Sequence, residues 1–206
     1  MWARRGEAGE GTIAAGSQSA RVPCVLITGP VRSGKSRFAE RLARERGGEI
    51  VFVATARRDP GDLEWEARIE RHRRERPPDW KVVETAVDGA PSLEVLVRDA
   101  SGAQTLIVDS LGTWLADRML AEPDPSALEA SANAVAGALI ACRAHAIVVG
   151  EETGWGIVPA YASGRVFRDV LGRAQQRLAA GSLAAYLVVA GFALDLRRAG
   201  LAVDPD

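Results

Sequence analysis

Lys35 and Ser36 close the octet Gly29-Pro30-Val31-Arg32-Ser33-Gly34-Lys35-Ser36, a complete G-x-x-x-x-G-K-S pattern. Its glycines let the backbone wrap closely around a polyphosphate, so that successive N–H groups and a helix N-terminus face the anion. In that arrangement Lys35 meets the β- and γ-phosphates and the Ser36 hydroxyl helps to hold Mg²⁺. The octet follows the apolar run Cys24-Val25-Leu26-Ile27-Thr28 and precedes the helical pattern Arg37-Phe38-Ala39-Glu40-Arg41-Leu42-Ala43-Arg44. Strand, loop and helix in that order distinguish a nucleoside triphosphate site from a Gly-rich turn.

Further residues could complete such a site. Asp109 ends the run Leu106-Ile107-Val108-Asp109, and a carboxylate fixed at a strand end can reach Mg²⁺ directly or through water. His72 lies in a charged stretch whose pairs Glu64/Arg68, Glu70/Arg74 and Arg71/Glu75 have the i,i+4 spacing of a solvated helix, ended by Pro77-Pro78. An imidazole is largely neutral and nucleophilic near pH 7. Flanked by Arg71, Arg73, Arg74 and Arg76, it could attack a phosphorus atom whose oxygens those guanidinium groups neutralise; the plainer account is a salt-bridged surface helix with an incidental histidine. His145 reads as a strand-start residue without chemistry. Glu151-Glu152-Thr153-Gly154-Trp155-Gly156-Ile157-Val158-Pro159 suits either a substrate-facing loop or a plain turn. Trp155, between two glycines, is poorly explained by core packing and could cover an apolar part of a ligand.

The elements that must position these residues alternate along the chain. Strands are predicted at 24–28, 50–55, 81–84, 105–109, 145–150 and 186–190, helices at 35–46, 61–76, 91–99, 111–121, 126–143 and 163–180. Continuous apolar strands between helices predict an open, doubly wound, mostly parallel α/β sheet with helices on both faces. The run 192–196 adds an antiparallel edge. In such sheets ligands sit beyond the carboxyl ends of the strands, so the ends at Thr28, Thr55, Asp109 and Val149 should line one site.

The 206 residues suit one domain, expected over 22–198, with a disordered extension at 1–21 and a flexible tail at 199–206. A net charge of −1, the difference of 26 basic and 27 acidic groups, gives no global field for nucleic acid. No apolar run is long enough to span a membrane. Two cysteines read as buried thiols, which fits a cytoplasmic home.

Taken in order, these motifs resemble the bifunctional adenosylcobinamide kinase / adenosylcobinamide-phosphate guanylyltransferase family of cobalamin biosynthesis. The resemblance runs from about Val22 to Arg197. It rests on Ile27-Thr28-Gly29 through Ser36, Val53-Ala54-Thr55-Ala56, Ala67-Arg68-Ile69 with His72 before Arg76-Pro77 and Trp80, Asp109-Ser110-Leu111, Gly154 through Pro159, and Phe167-Arg168-Asp169 with Gly172-Arg173 and Gln176-Arg177-Leu178. It implies two reactions: phosphorylation of adenosylcobinamide by ATP or GTP, then guanylylation of a histidine by GTP and passage of GMP to the phosphorylated corrinoid. The guanylylated histidine falls on His72. Nucleotide contacts fall on Gly29 to Ser36, Ala54, Thr55, Ala56, Arg73, Arg74, Glu75, Arg76, Glu84 and Asp109. A homotrimer is also implied. Departures from the pattern lie largely on the corrinoid side: Glu151 and Gln175 stand where Asn is common, and Ala160-Tyr161 replaces a common Glu-Asn pair. Arg71 replaces a frequent second histidine. The alternatives are another small-molecule kinase on the same scaffold, without a covalent histidine, and a nucleotide-dependent regulatory binding module.

Overall fold

The computed structural model describes residues 24–203; the expected extension at 1–21 lies outside them. Seven strands form one sheet: β1 (Val25–Thr28), β2 (Glu49–Ala54), β3 (Lys81–Glu84), β4 (Gln104–Asp109), β5 (His145–Val149), β6 (Ala184–Val189) and β7 (Phe192–Asp195). Their order is β3-β2-β4-β5-β1-β6-β7. All neighbours pair in parallel except β7, which turns back along β6 and pairs Tyr186 with Asp195 and Val189 with Phe192. This is the doubly wound sheet with an antiparallel edge that the alternating pattern predicts.

Period-two alternation sends the central strands' side chains into two cores. Leu26, Val51, Val53, Leu106, Val108 and Val148 face one of them, filled from the helix side by residues such as Leu93, Leu115, Leu139 and Leu171. Those leucines belong to α3 (Leu93–Asp99), α4 (Leu111–Ala121), α5 (Pro125–Ala141) and α6 (Ala162–Gly181). Ile27, Phe52, Ile107 and Val149 face the other, where α1 (Lys35–Arg46) contributes Ala39 and Ala43, four residues apart and fully buried. Burying the strands on both faces explains their unbroken apolar runs.

Helix starts are set locally. Ser92 caps α3 and Asp124 caps α5, with Pro125 at the first helical position. Ser110 and Thr113 form a reciprocal capping box at α4. The helix expected over 61–76 runs as α2 (Leu63–Glu75), because Asp62 accepts the Trp65 N–H at 2.9 Å and fixes the start. No residue of α2 is buried. A short α7 (Leu196–Ala199), not expected from the sequence, continues the chain past β7; Asp195 caps it and Arg197 reaches back to the Ala179 and Ser182 carbonyls.

Candidate active site

The site grows from β1 into α1. Gly29 has φ 151°, and a Cβ there would stand 2.2 Å from the Val188 carbonyl oxygen, so the loop can lie this close to β6 only with glycine. Arg32 (φ 56°) and Gly34 (φ 103°) are also left-handed, which turns successive N–H groups toward one point. Helix α1 begins at Gly34 without a side-chain cap and without an acid in its first turn. Its N–H groups and positive dipole end are therefore left for an anion. Two hydroxyls, Thr28 Oγ1 just before the loop and Ser33 Oγ within it, are buried without a hydrogen-bond partner.

Lys35 is buried and its ammonium donates to the Pro30 carbonyl at 2.8 Å. Burial pushes its pKa down, and Arg68 adds to that, against the opposing pull of Glu151 and Asp109. Those two acids come from adjacent strands. Strand β5 lies between β4 and β1, so Glu151, just past its end, stands between Asp109 and the phosphate loop. The Gly112 N–H at the start of α4 donates to Glu151 Oε2 at 2.9 Å. Burial raises the Glu151 pKa, the negative charge of Asp109 adds to the rise, and Ser110, Lys35 and Gly112 oppose it. Gln175 Nε2 donates to the Glu151 carbonyl at 3.0 Å.

Helix α2 closes the site from above. A cavity of about 120 Å³ is bordered by Ser36, Asp109 and Glu151 below and by Trp65, Ile69, His72 and Arg76 above. A neighbouring one of about 390 Å³ is bordered by the loop from Arg32 to Arg37 and by Arg68, Arg71, His72 and Glu75. His72 borders both, sharing the larger with Lys35 and Ser36 of the loop. Arg76 sits 4.1 Å over the Phe52 ring, partly buried, and burial lowers its pKa while Asp109 and Glu84 oppose. Around it Arg73, Trp80 and Glu84 line a third recess, with Trp80 stacked on Phe52 at 6.4 Å.

Most of the sequence-predicted residues thus gather at one place: the loop from Gly29 to Ser36, Ala54 and Ala56, His72, Arg73, Glu75, Arg76, Glu84 and Asp109. Two stand differently. Thr55 is fully buried, and its hydroxyl bonds the Ser110 backbone at 2.6 and 2.8 Å and Thr113 at 2.6 Å, fixing the turn that carries Asp109 instead of facing the cavity. Arg74 turns back along α2 to Glu70 at 3.2 Å. Glu151 carries more of the site than its reading as a loop acid indicated. Its position directly after a wholly buried strand was the available signal.

A family profile described as cobinamide kinase / cobinamide phosphate guanyltransferase matches residues 25–196. The chain belongs to this family. Among curated relatives, the bifunctional adenosylcobalamin biosynthesis protein CobU of Escherichia coli K12 is 36% identical over 185 residues, covering 84% of this chain and 99% of that protein. CobP of Pseudomonas aeruginosa, of the same bifunctional description, is 36% identical over 172 residues, covering 84% and 96%. CobU of Salmonella typhimurium LT2 is 33% identical over 186 residues, covering 84% and 99%. Among solved structures, an ATPase from the type III secretion system of pathogenic bacteria aligns over 87% of this chain and 58% of its own, at a TM-score of 0.48 and 12% identity; that likeness bears on nothing further. As a cobinamide kinase / cobinamide phosphate guanyltransferase, the chain is an enzyme of cobalamin biosynthesis that uses nucleotide substrates.

Proposed function

We propose that this enzyme performs both transfers at the one site, and that the second passes through a covalent GMP on His72. The observation that supports it is that His72 borders both the cavity of Ser36 and Asp109 and the cavity of Lys35. In the kinase step the hydroxyl oxygen of adenosylcobinamide bonds to the γ-phosphorus of ATP or GTP, the bond to the bridging oxygen breaks, and the hydroxyl proton leaves to solvent. Lys35 and the loop N–H groups neutralise the charge that spreads over the phosphoryl oxygens.

In the second step an imidazole nitrogen of His72 bonds to the α-phosphorus of GTP and pyrophosphate departs. A phosphate oxygen of the phosphorylated cobinamide then displaces the histidine and takes the GMP, giving adenosylcobinamide-GDP. Arg73, Arg76 and Glu84 are proposed to hold the nucleotide near Phe52 and Trp80; Ala54 and Ala56 frame its other side. Arg74 and Glu75 are assigned to the nucleotide by family resemblance alone.

Mg²⁺ fits the donor set. Ser36 and Asp109 offer hard oxygens on one cavity wall, and among the described residues no group of three or more His, Cys, Asp or Glu could hold a metal by itself. That matches an ion held largely by phosphates with one or two protein ligands. When bound it would neutralise charge on the phosphates. No helix of the described residues is long and apolar enough to cross a membrane. A cytoplasmic homotrimer, with residues 22–198 as its catalytic unit, is the assembly we propose from family resemblance; light scattering tests the trimer.

Mass spectrometry of the protein after incubation with GTP and Mg²⁺ tests the covalent route. One added GMP at position 72, acid-labile and alkali-stable, is expected, and His72→Ala should lose it. Because His72 is exposed and no residue of α2 is fully buried, that variant should unfold within about 0.5 kcal/mol of the native chain. Turnover to adenosylcobinamide-GDP without any labelled histidine would refute the covalent route while leaving the kinase reading in place.

A further inference from the structure

We infer that the loop from Gly154 to Tyr161 is the platform on which the corrin macrocycle of the acceptor rests, with Trp155 and Tyr161 as its anchors. The inference rests on the acceptor being cobinamide, as proposed above, and adds where its bulk lies. Four large apolar side chains on this short loop face solvent: Trp155 is 62% exposed, Ile157 98%, Val158 67% and Tyr161 81%. Folding gains nothing from holding them there, and large apolar side chains clustered on one exposed segment mark a binding face.

The loop is not left loose. From α6, Arg168 donates to the Gly154 carbonyl at 2.8 Å and to the Ile157 carbonyl at 3.3 Å. Arg165 donates to the Pro159 and Ala160 carbonyls at 3.0 and 2.9 Å. Two guanidinium groups thus hold the backbone while the apolar side chains point outward, a pre-ordered surface that loses little entropy on binding.

Its root is part of the catalytic site. Glu151 borders the cavity of Ser36 and His72, and the Glu152 N–H donates to the Gly29 carbonyl at 2.9 Å. Trp155 is four residues from Glu151, so its Cα lies within about 14 Å of that of Glu151 even on a fully extended chain. The acceptor's size supplies the remaining argument. Its hydroxyl or phosphate must enter between the phosphate loop and α2, yet cavities of about 120 and 390 Å³ must also take a nucleotide and cannot admit a corrin. The macrocycle must therefore lie on the rim. On the α2 side that rim presents Arg68, Arg71 and Glu75; on the β5 side the chain leaves it at Glu151 and reaches Trp155 four residues later. A broad, largely apolar ring edged with amides matches aromatic side chains that offer a flat face and, in Tyr161, a hydroxyl.

Equilibrium dialysis of cobinamide against the native chain, Trp155→Ala and Tyr161→Ala tests the platform without nucleotide. Leu201→Ala, another exposed apolar side chain (97%) outside the loop, serves as control. Dissociation constants about tenfold or more weaker are expected for the two loop variants and not for the control. In turnover with GTP, the KM for cobinamide should rise in parallel while kcat stays within about twofold. Unchanged affinity in both variants, or no cobinamide bound by the native chain, would overturn the inference. So would a fall in oligomeric mass by light scattering in either variant, which would make the loop a contact between copies. Should the native chain take up no GMP from GTP, the covalent route fails, yet the dialysis still decides the platform.

Discussion

At the residue scale the site sets two buried or half-buried charges against each other. The Lys35 pKa is lowered and that of Glu151 raised, each chiefly because burial disfavours its charged form. For Glu151 the folded protein binds the proton more tightly than the unfolded chain does. Its contribution to stability is therefore complete below the ordinary carboxylate range and is lost as pH rises through the raised folded value. Glu151→Gln keeps an oxygen for the Gly112 N–H and removes that loss. The variant should melt higher than the native chain at pH 8, by about 2–4 °C for each kcal/mol relieved, with the advantage shrinking toward pH 4. Calorimetry across that range is the check; an advantage that grows toward acid would mean the carboxyl is stabilised in its ionised form. The sequence spelled out Lys35 because eight adjacent residues dictate one backbone path. For Glu151 the only signal was the buried strand before it, because its importance comes from lying between Asp109 and Gly29 once β5 inserts between β4 and β1.

At the scale of elements, Thr55 separates what local sequence can say from what it cannot. Nothing in Val53-Ala54-Thr55-Ala56 reveals a hydroxyl spent on residues 55 positions away, bonding Ser110 N–H and carbonyl alike. Thr55→Val keeps the shape and strands those groups, so it should cost about 1–3 kcal/mol in urea unfolding. Thr55→Ser should recover most of it. A neutral Thr55→Val would show that the turn between β4 and α4 holds without this bond. Strand and helix limits, by contrast, were legible to within two residues almost everywhere, since burial on both sheet faces leaves long apolar runs. Helix α2 could be placed but not interpreted: its i,i+4 charge pairs suit a free surface helix equally well, and only its position over the phosphate loop gives His72 and Arg76 something to act on.

For the whole molecule, the sheet divides two packed cores, and its two thiols lie within or beside the larger one. Cys24 is 3% exposed, and burial pushes its pKa up to about 11. Cys142 is 8% exposed, is also raised by burial, and donates to the Val97 carbonyl. Neither should react with a thiol reagent at pH 8 on the timescale of minutes, and both should react once the chain is unfolded; rapid labelling of the native protein would reveal local opening of β1 or α5. The doubly wound plan was readable from alternation alone, but the strand order was not, because adjacency between β1 and β6 depends on contacts across more than 150 residues. That adjacency reaches the catalytic loop itself. Val188 presses its carbonyl against Gly29, and the Gly191 N–H clasps the Ser33 carbonyl at 3.0 Å. A protease nick or premature stop ahead of residue 188 would therefore disarm the chain's front end, although none of the lost residues need ever meet a nucleotide.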